Sequence, residues 1–203
     1  MRDNLVVGVT GQSGAGKSTL CKALADRYGF AYVDTDKIAH EILEKSSLCI
    51  HLLTKAFGSD IICKSGQIDR SLLALRAFSS QENHCMLNSI THPFIIYESI
   101  GLIKKHIKNG KRVVLIDAPL LYESNMDVLC DFVVGVLLNQ EKRLARIVER
   151  DNIDESKAKM RFSNQHDDAY YKEKCDFCVN GDDKIDDISV KLYDTIMSMM
   201  RNE

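Results

Sequence analysis

The chain has no tryptophan and only two prolines among its 203 residues. Proline-rich linkers and polyproline segments are thereby excluded. No apolar run approaches the ~18 residues that a membrane-crossing helix needs, so no membrane partner is expected. Neither sign of charge dominates. Lys and Arg number 27 against 29 Asp and Glu, a net charge of -2, and the basic excess typical of nucleic-acid binders is missing. The seven cysteines, Cys21, Cys49, Cys63, Cys85, Cys130, Cys175 and Cys178, are odd in number and scattered. That pattern argues against a disulfide framework. Cys175 and Cys178 make the only close pair, which is half of a tetrahedral zinc site without a second pair at finger spacing. They are read as buried core thiols. The N-terminus runs into an apolar stretch at Leu5, which leaves no room for a signal peptide, and a cytoplasmic location is expected.

Against these absences stands one dense motif, Gly11-Gln12-Ser13-Gly14-Ala15-Gly16-Lys17-Ser18. It fits G-x-x-x-x-G-K-[ST] without a mismatch. Leu5 to Thr10 before it reads as a buried strand. Thr19 to Tyr28 after it reads as a helix with Leu20, Ala23 and Leu24 on one face. Strand, glycine-rich turn and helix N-terminus aim backbone N–H groups at one point, which suits the β- and γ-phosphates of a nucleotide. Lys17 adds positive charge there, and the Ser18 hydroxyl is expected to hold Mg²⁺. The competing reading is a glycine-rich turn that binds nothing.

Apolar, strand-like runs recur at 5–10, 30–33, 112–117, 131–138 and 176–179. Helical patterns separate them, which predicts an α/β fold with a parallel five-stranded sheet covered on both faces. Ligands of such sheets collect at the carboxyl ends of the strands. The interval 37–110 is too long for one crossover and holds helical patterns at 38–44, 48–57, 71–78 and 82–108. The last is expected to break at Thr91-His92-Pro93, because proline disfavours helical geometry in the residue before it. Residues 140–173 form a second polar, helical insertion. The division expected is a core of 1–36, 111–139 and 174–203 carrying these two insertions.

Three further groups point to chemistry. Arg112 to Asp117 is an apolar strand ending in a carboxylate, the Walker B pattern whose Asp holds Mg²⁺ directly or through water. Asp34 and Asp36 end the second strand. Asp36 is read as a general base for a substrate hydroxyl and Asp34 as structural or metal-linked; the alternative is that either caps the next helix. Arg143, Arg146 and Arg150 share a helix face and could screen charge during phosphoryl transfer, or simply form a solvated face paired with Glu141 and Glu149. From spacing alone, His40 and His92 read as satisfied helix-end histidines.

Taken together, these segments resemble dephospho-CoA kinases nearly end to end. The resemblance rests on Val9 to Thr19, on Asp34-Thr35-Asp36-Lys37-Ile38-Ala39-His40, on Gly66-Gln67-Ile68-Asp69-Arg70, on His92-Pro93 and above all on Asp117-Ala118-Pro119-Leu120-Leu121-Tyr122-Glu123. Arg146, Arg150-Asp151 and Gln165 match the family's lid. The resemblance implies a phosphate-loop three-layer α/β/α core, a helical substrate insertion and a helical lid. It implies ATP and Mg²⁺ as cofactors and dephospho-CoA as the substrate phosphorylated at its ribose 3′-hydroxyl. Gly11, Ser13, Gly14, Ala15, Gly16, Lys17, Ser18, Thr19, Arg146 and Arg150 would then bind ATP. Ser18 and Asp117 would hold the metal. Asp36, His40, Arg70, His92, Leu120 and Glu123 would meet the substrate, with Asp36, Lys17 and Arg146 catalytic. Members commonly carry Arg where this chain has His40, and Ile-Asp-Asn where it reads Val179-Asn180-Gly181. Nucleic-acid partners are not expected, and the protein is expected to be a monomer or weak oligomer. The rivals are a kinase of another small substrate, such as a nucleoside monophosphate, and a nucleotide-dependent switch protein. The latter needs an Asn-Lys-x-Asp guanine reader, a tetrapeptide the chain lacks.

Overall fold

A computed structural model describes residues 3–160, 162 and 165–201. The strands are β1 (Leu5–Thr10), β2 (Ala31–Asp34), β3 (Val113–Asp117), β4 (Phe132–Leu137) and β5 (Phe177–Asn180). The helices are α1 (Lys17–Tyr28), α2 (Thr35–Lys45), α3 (Ser47–Phe57), α4 (Arg70–Ala77), α5 (Gln81–Lys108), α6 (Gln140–Asp151), α7 (Glu155–Met160), α8 (Asp168–Lys174) and α9 (Ile185–Arg201). All five strands are parallel, in the order β2-β3-β1-β4-β5. The predicted sheet is therefore present, with edges moved by a residue or so.

The Cα atoms group into two compact units, Met1–Asp34 with Ile103–Glu203, and Thr35–Leu102. In the first, every residue of β1, β3 and β4 is buried. Such buried, predominantly apolar strands are what a sheet covered on both faces requires. Leu20 and Leu24 of α1 and Leu192 and Ile196 of α9 pack with Val7, Leu115 and Val134 in one core. Burial of each such side chain contributes about 1.5–3 kcal/mol.

The second unit is helical. Two of its helices, α3 and α4, start on side-chain caps: Ser46 accepts from Cys49 N and Asp69 from Leu72 N, satisfying N–H groups that a helix start leaves over. Here one expectation fails. α5 is a continuous 28-residue helix with Pro93 inside it. The missing proline N–H costs about 3 kcal/mol. A helix this long retains many other backbone bonds, and the Thr91 hydroxyl donates to Leu87 O at 3.0 Å in the same stretch.

A second correction concerns the cysteine pair. Cys175 and Cys178 are free thiols but only half-buried. Cys178 lies in β5 and Cys175 just before it; β5 is at the sheet edge, so one side of the pair has no strand to cover it. Partial burial still pushes the Cys175 thiol up to about 11. Among the described residues, no helix is long and apolar enough to cross a membrane.

Candidate active site

The phosphate loop leaves β1 and enters α1. Gly11, Gly14 and Gly16 all have left-handed φ angles. At Gly11 the requirement for glycine is double. Its φ is 133°, a region L-residues avoid, and an added Cβ would lie 2.2 Å from Val136 O of β4. Gly16 is the N-cap of α1, so the first free N–H groups of that helix face the loop's concavity. Lys17 is buried and donates through Nζ to Gly11 O at 2.9 Å and Gln12 O at 3.1 Å. The ammonium is thus held across the loop mouth, where it can turn to a phosphate.

The metal side is built from three elements. Ser18 Oγ donates to Asp117 Oδ2 at 2.6 Å. Tyr32 OH reaches the same Oδ2 at 3.1 Å and Asp34 Oδ2 at 3.2 Å. Burial raises the pKa of Asp117; Lys17 and the hydrogen bonds from Ser18 and Tyr32 oppose it. Burial and the neighbouring Asp117 push the Tyr32 phenol upward, so it stays protonated. A serine hydroxyl and carboxylates at a phosphate loop are the oxygen donors Mg²⁺ prefers, so this set fits the metal that the motif implies.

The segment after β4 closes on the loop from the other side. Gln165 brackets Ser13, accepting from its N at 3.2 Å and donating to its Oγ at 2.6 Å. Gln12 Nε2 donates to His166 O at 3.0 Å. Arg146 is exposed and donates to Gly181 O at 3.1 Å. Gly181 must be glycine, since a Cβ there would sit 2.0 Å from Ala15 O of the phosphate loop. This close approach is a physical reason for the departure from Asn at that position. Arg150 chelates Asp151 through Nε and Nη2 at 2.7 and 3.0 Å.

Arg143 differs from its two neighbours. It is buried, donates through Nε to Leu138 O at 2.9 Å and lies 4.6 Å over the Phe162 ring. The expected common basic face is therefore split: Arg143 holds structure, while Arg146 and Arg150 remain exposed. Arg143→Ala is expected to lower the melting temperature by several degrees, whereas Arg146→Ala should leave it unchanged and slow phosphoryl transfer. Thermal unfolding beside a turnover assay checks both.

The remaining predicted residues fall in two places. In the first unit, Leu120 is exposed and Glu123 Oε1 lies 3.3 Å from His166 Nε2. His166 in turn stacks on Tyr170 at 3.7 Å. In the second unit, Asp36 and His40 are exposed on α2. Arg70, at the start of α4, donates to Glu44 Oε1 at 2.6 Å and to His40 O at 3.3 Å. Its carboxylate partner is therefore Glu44, whereas Asp69 caps the helix. His92 is half-buried in α5, and that burial lowers its pKa. Tyr32 and His166 were missed from sequence. A signal for Tyr32 existed: it lies two residues before Asp34 and so on the same strand face.

The geometry has parallels among known proteins. Residues 5–187 match the family described as dephospho-CoA kinase. A dephospho-CoA kinase of Corynebacterium glutamicum is 34% identical over 192 residues, covering 95% of this chain and 98% of its own. That of Saccharomyces cerevisiae is 32% identical, covering 97% and 82%. Among solved structures, the dephospho-CoA kinase from Campylobacter jejuni superposes with a TM-score of 0.67 at 27% identity, over 98% of each chain. A shikimate kinase from Acinetobacter baumannii shares the fold at a TM-score of 0.56 and 17% identity, over 100% of this chain and 97% of its own. The phosphate loop is one that many nucleotide-binding proteins share, the full-length match narrows that group, and the chain belongs to the dephospho-CoA kinase family.

Proposed function

We propose that this protein transfers the γ-phosphoryl group of ATP to the ribose 3′-hydroxyl of dephospho-CoA, giving coenzyme A and ADP. The observation that supports this most is the assembled phosphate loop, with Lys17 across its mouth and Ser18 bonded to Asp117, in a chain whose family carries that activity in its name. The chemistry is positioning and charge stabilisation. Loop N–H groups and Lys17 hold the β/γ-phosphates. Ser18 and Asp117 would hold Mg²⁺, which would supply neutralisation of the phosphate charge. Asp36 takes the proton of the attacking hydroxyl, and Arg146 and Arg150, in the lid segment 140–173, screen the moving group.

Dephospho-CoA is met by the helical insertion 37–110, through His40, Arg70 and His92, and by Leu120 and Glu123 after β3. Arg70→Ala is expected to raise the KM for dephospho-CoA about tenfold, with the KM for ATP little changed. A guanidinium can grip a pyrophosphate bidentately, and Arg70→Lys should recover only part of the loss because a point charge lacks the planar fork. Steady-state kinetics with each substrate varied in turn checks this. A rise confined to the ATP KM would move Arg70 to the nucleotide site.

The test of the whole reading is a coupled ADP-release assay offering dephospho-CoA, adenosine, AMP and shikimate as acceptors. Dephospho-CoA is expected to be preferred by orders of magnitude. Preference for AMP or shikimate would overturn the substrate.

A further inference from the structure

β2 and β3 run parallel with Asp34 in register with Asp117. Two carboxylates therefore stand side by side on neighbouring strands, which lie about 4.8 Å apart. Like charges in directly opposed positions destabilise a sheet. Tyr32 precedes Asp34 by two residues, so it shares that sheet face, and its hydroxyl lies 3.2 Å from Asp34 Oδ2 and 3.1 Å from Asp117 Oδ2. The Oδ2 it meets on Asp117 is the one that accepts from Ser18 Oγ at 2.6 Å.

We infer that Tyr32 is a positioning residue: its hydroxyl clips the Asp34 and Asp117 carboxylates together and so sets Asp117 onto Ser18 at the metal side of the phosphate loop. The clip needs the hydroxyl alone. The ring packs on the core formed by α1, α9 and the sheet, and Phe would fill that place equally. The phenol offers one proton to two near-equidistant oxygens, so it tethers both acids without neutralising either. The role rests on the reading of Ser18 and Asp117 as the Mg²⁺ side of an ATP site, and it adds a residue to that site.

The test is calorimetric titration of ADP in Mg²⁺ and in EDTA, for the wild type, Tyr32→Phe, Asp34→Asn and the double variant. Removing a group that orients a metal ligand typically costs about 10–100-fold in metal affinity. Tyr32→Phe should bind ADP normally in EDTA and lose about tenfold of the Mg²⁺-dependent gain, with its melting temperature within a few degrees of wild type. Asp34→Asn removes the like charge, so adding it to Tyr32→Phe should restore part of that gain, a coupling that separate sites do not show. A Mg²⁺-dependent gain unchanged in Tyr32→Phe overturns the clip, as does a double variant no better than the single one. A wild type with no Mg²⁺-dependent gain would instead overturn the metal-site reading itself.

Discussion

Lys17→Ala is expected to lower kcat by at least about 10²–10³-fold while the protein stays folded. The magnitude is that of removing one fixed donor from a site where charge develops; a full positive charge at the β/γ-phosphates sets that as a floor. Stability should hold because the Lys17 ammonium donates to the loop carbonyls Gly11 O and Gln12 O and the residue is not part of the hydrophobic core. The hydrophobic neighbours on its helix, Leu20 and Leu24, are untouched. Circular dichroism and a melting curve report the fold, and the coupled assay reports transfer. ADP affinity should fall less than kcat, because loop N–H groups still hold phosphate while the transition state loses its cation. Near-normal turnover in a folded variant would sink the phosphate-loop assignment.

The loop was legible because its parts are neighbours in sequence. Gly11, Gly14 and Gly16 answer local backbone needs, and Lys17 and Ser18 follow at once. The five strands were legible as apolar runs; in β1, β3 and β4, buried on both faces, there is no alternation to hide them. What escaped depends on pairing across the chain. A tyrosine two residues before an aspartate is an ordinary strand pattern; only the β2–β3 register, Asp34 beside Asp117, gives Tyr32 a second acid to hold. The burial of Arg143 was hidden because its guanidinium is taken up by Leu138 O and the Phe162 ring, whereas an arginine on an amphipathic helix reads as polar. The half-burial of Cys178 follows from the strand order, which places β5 at an edge. At Pro93 a sound local rule met a long helix and lost. Glu44, the partner of Arg70, lies 26 residues away on another helix, beyond any local pattern.

Asp36→Asn is expected to cut kcat by about 10²–10⁴-fold, the usual loss when a general base is removed, with ATP binding nearly unchanged. The two acids are placed differently. Asp34 ends β2 and is tied to Tyr32 OH at 3.2 Å, so it belongs to the network around Asp117. Asp36 lies in the first turn of α2 and is exposed, where a carboxylate can meet an incoming hydroxyl. Asn preserves size and still accepts a hydrogen bond, but it takes up a proton poorly, so the chemical step should suffer and binding should not. Asp34→Asn should slow turnover far less, and its effect should track Mg²⁺ concentration. Turnover of both variants at saturating dephospho-CoA, with single-turnover rates to isolate chemistry, distinguishes the two. If Asp34→Asn were crippling and Asp36→Asn silent, the base would be Asp34, and the exposed acid on α2 would be left as part of its helix start.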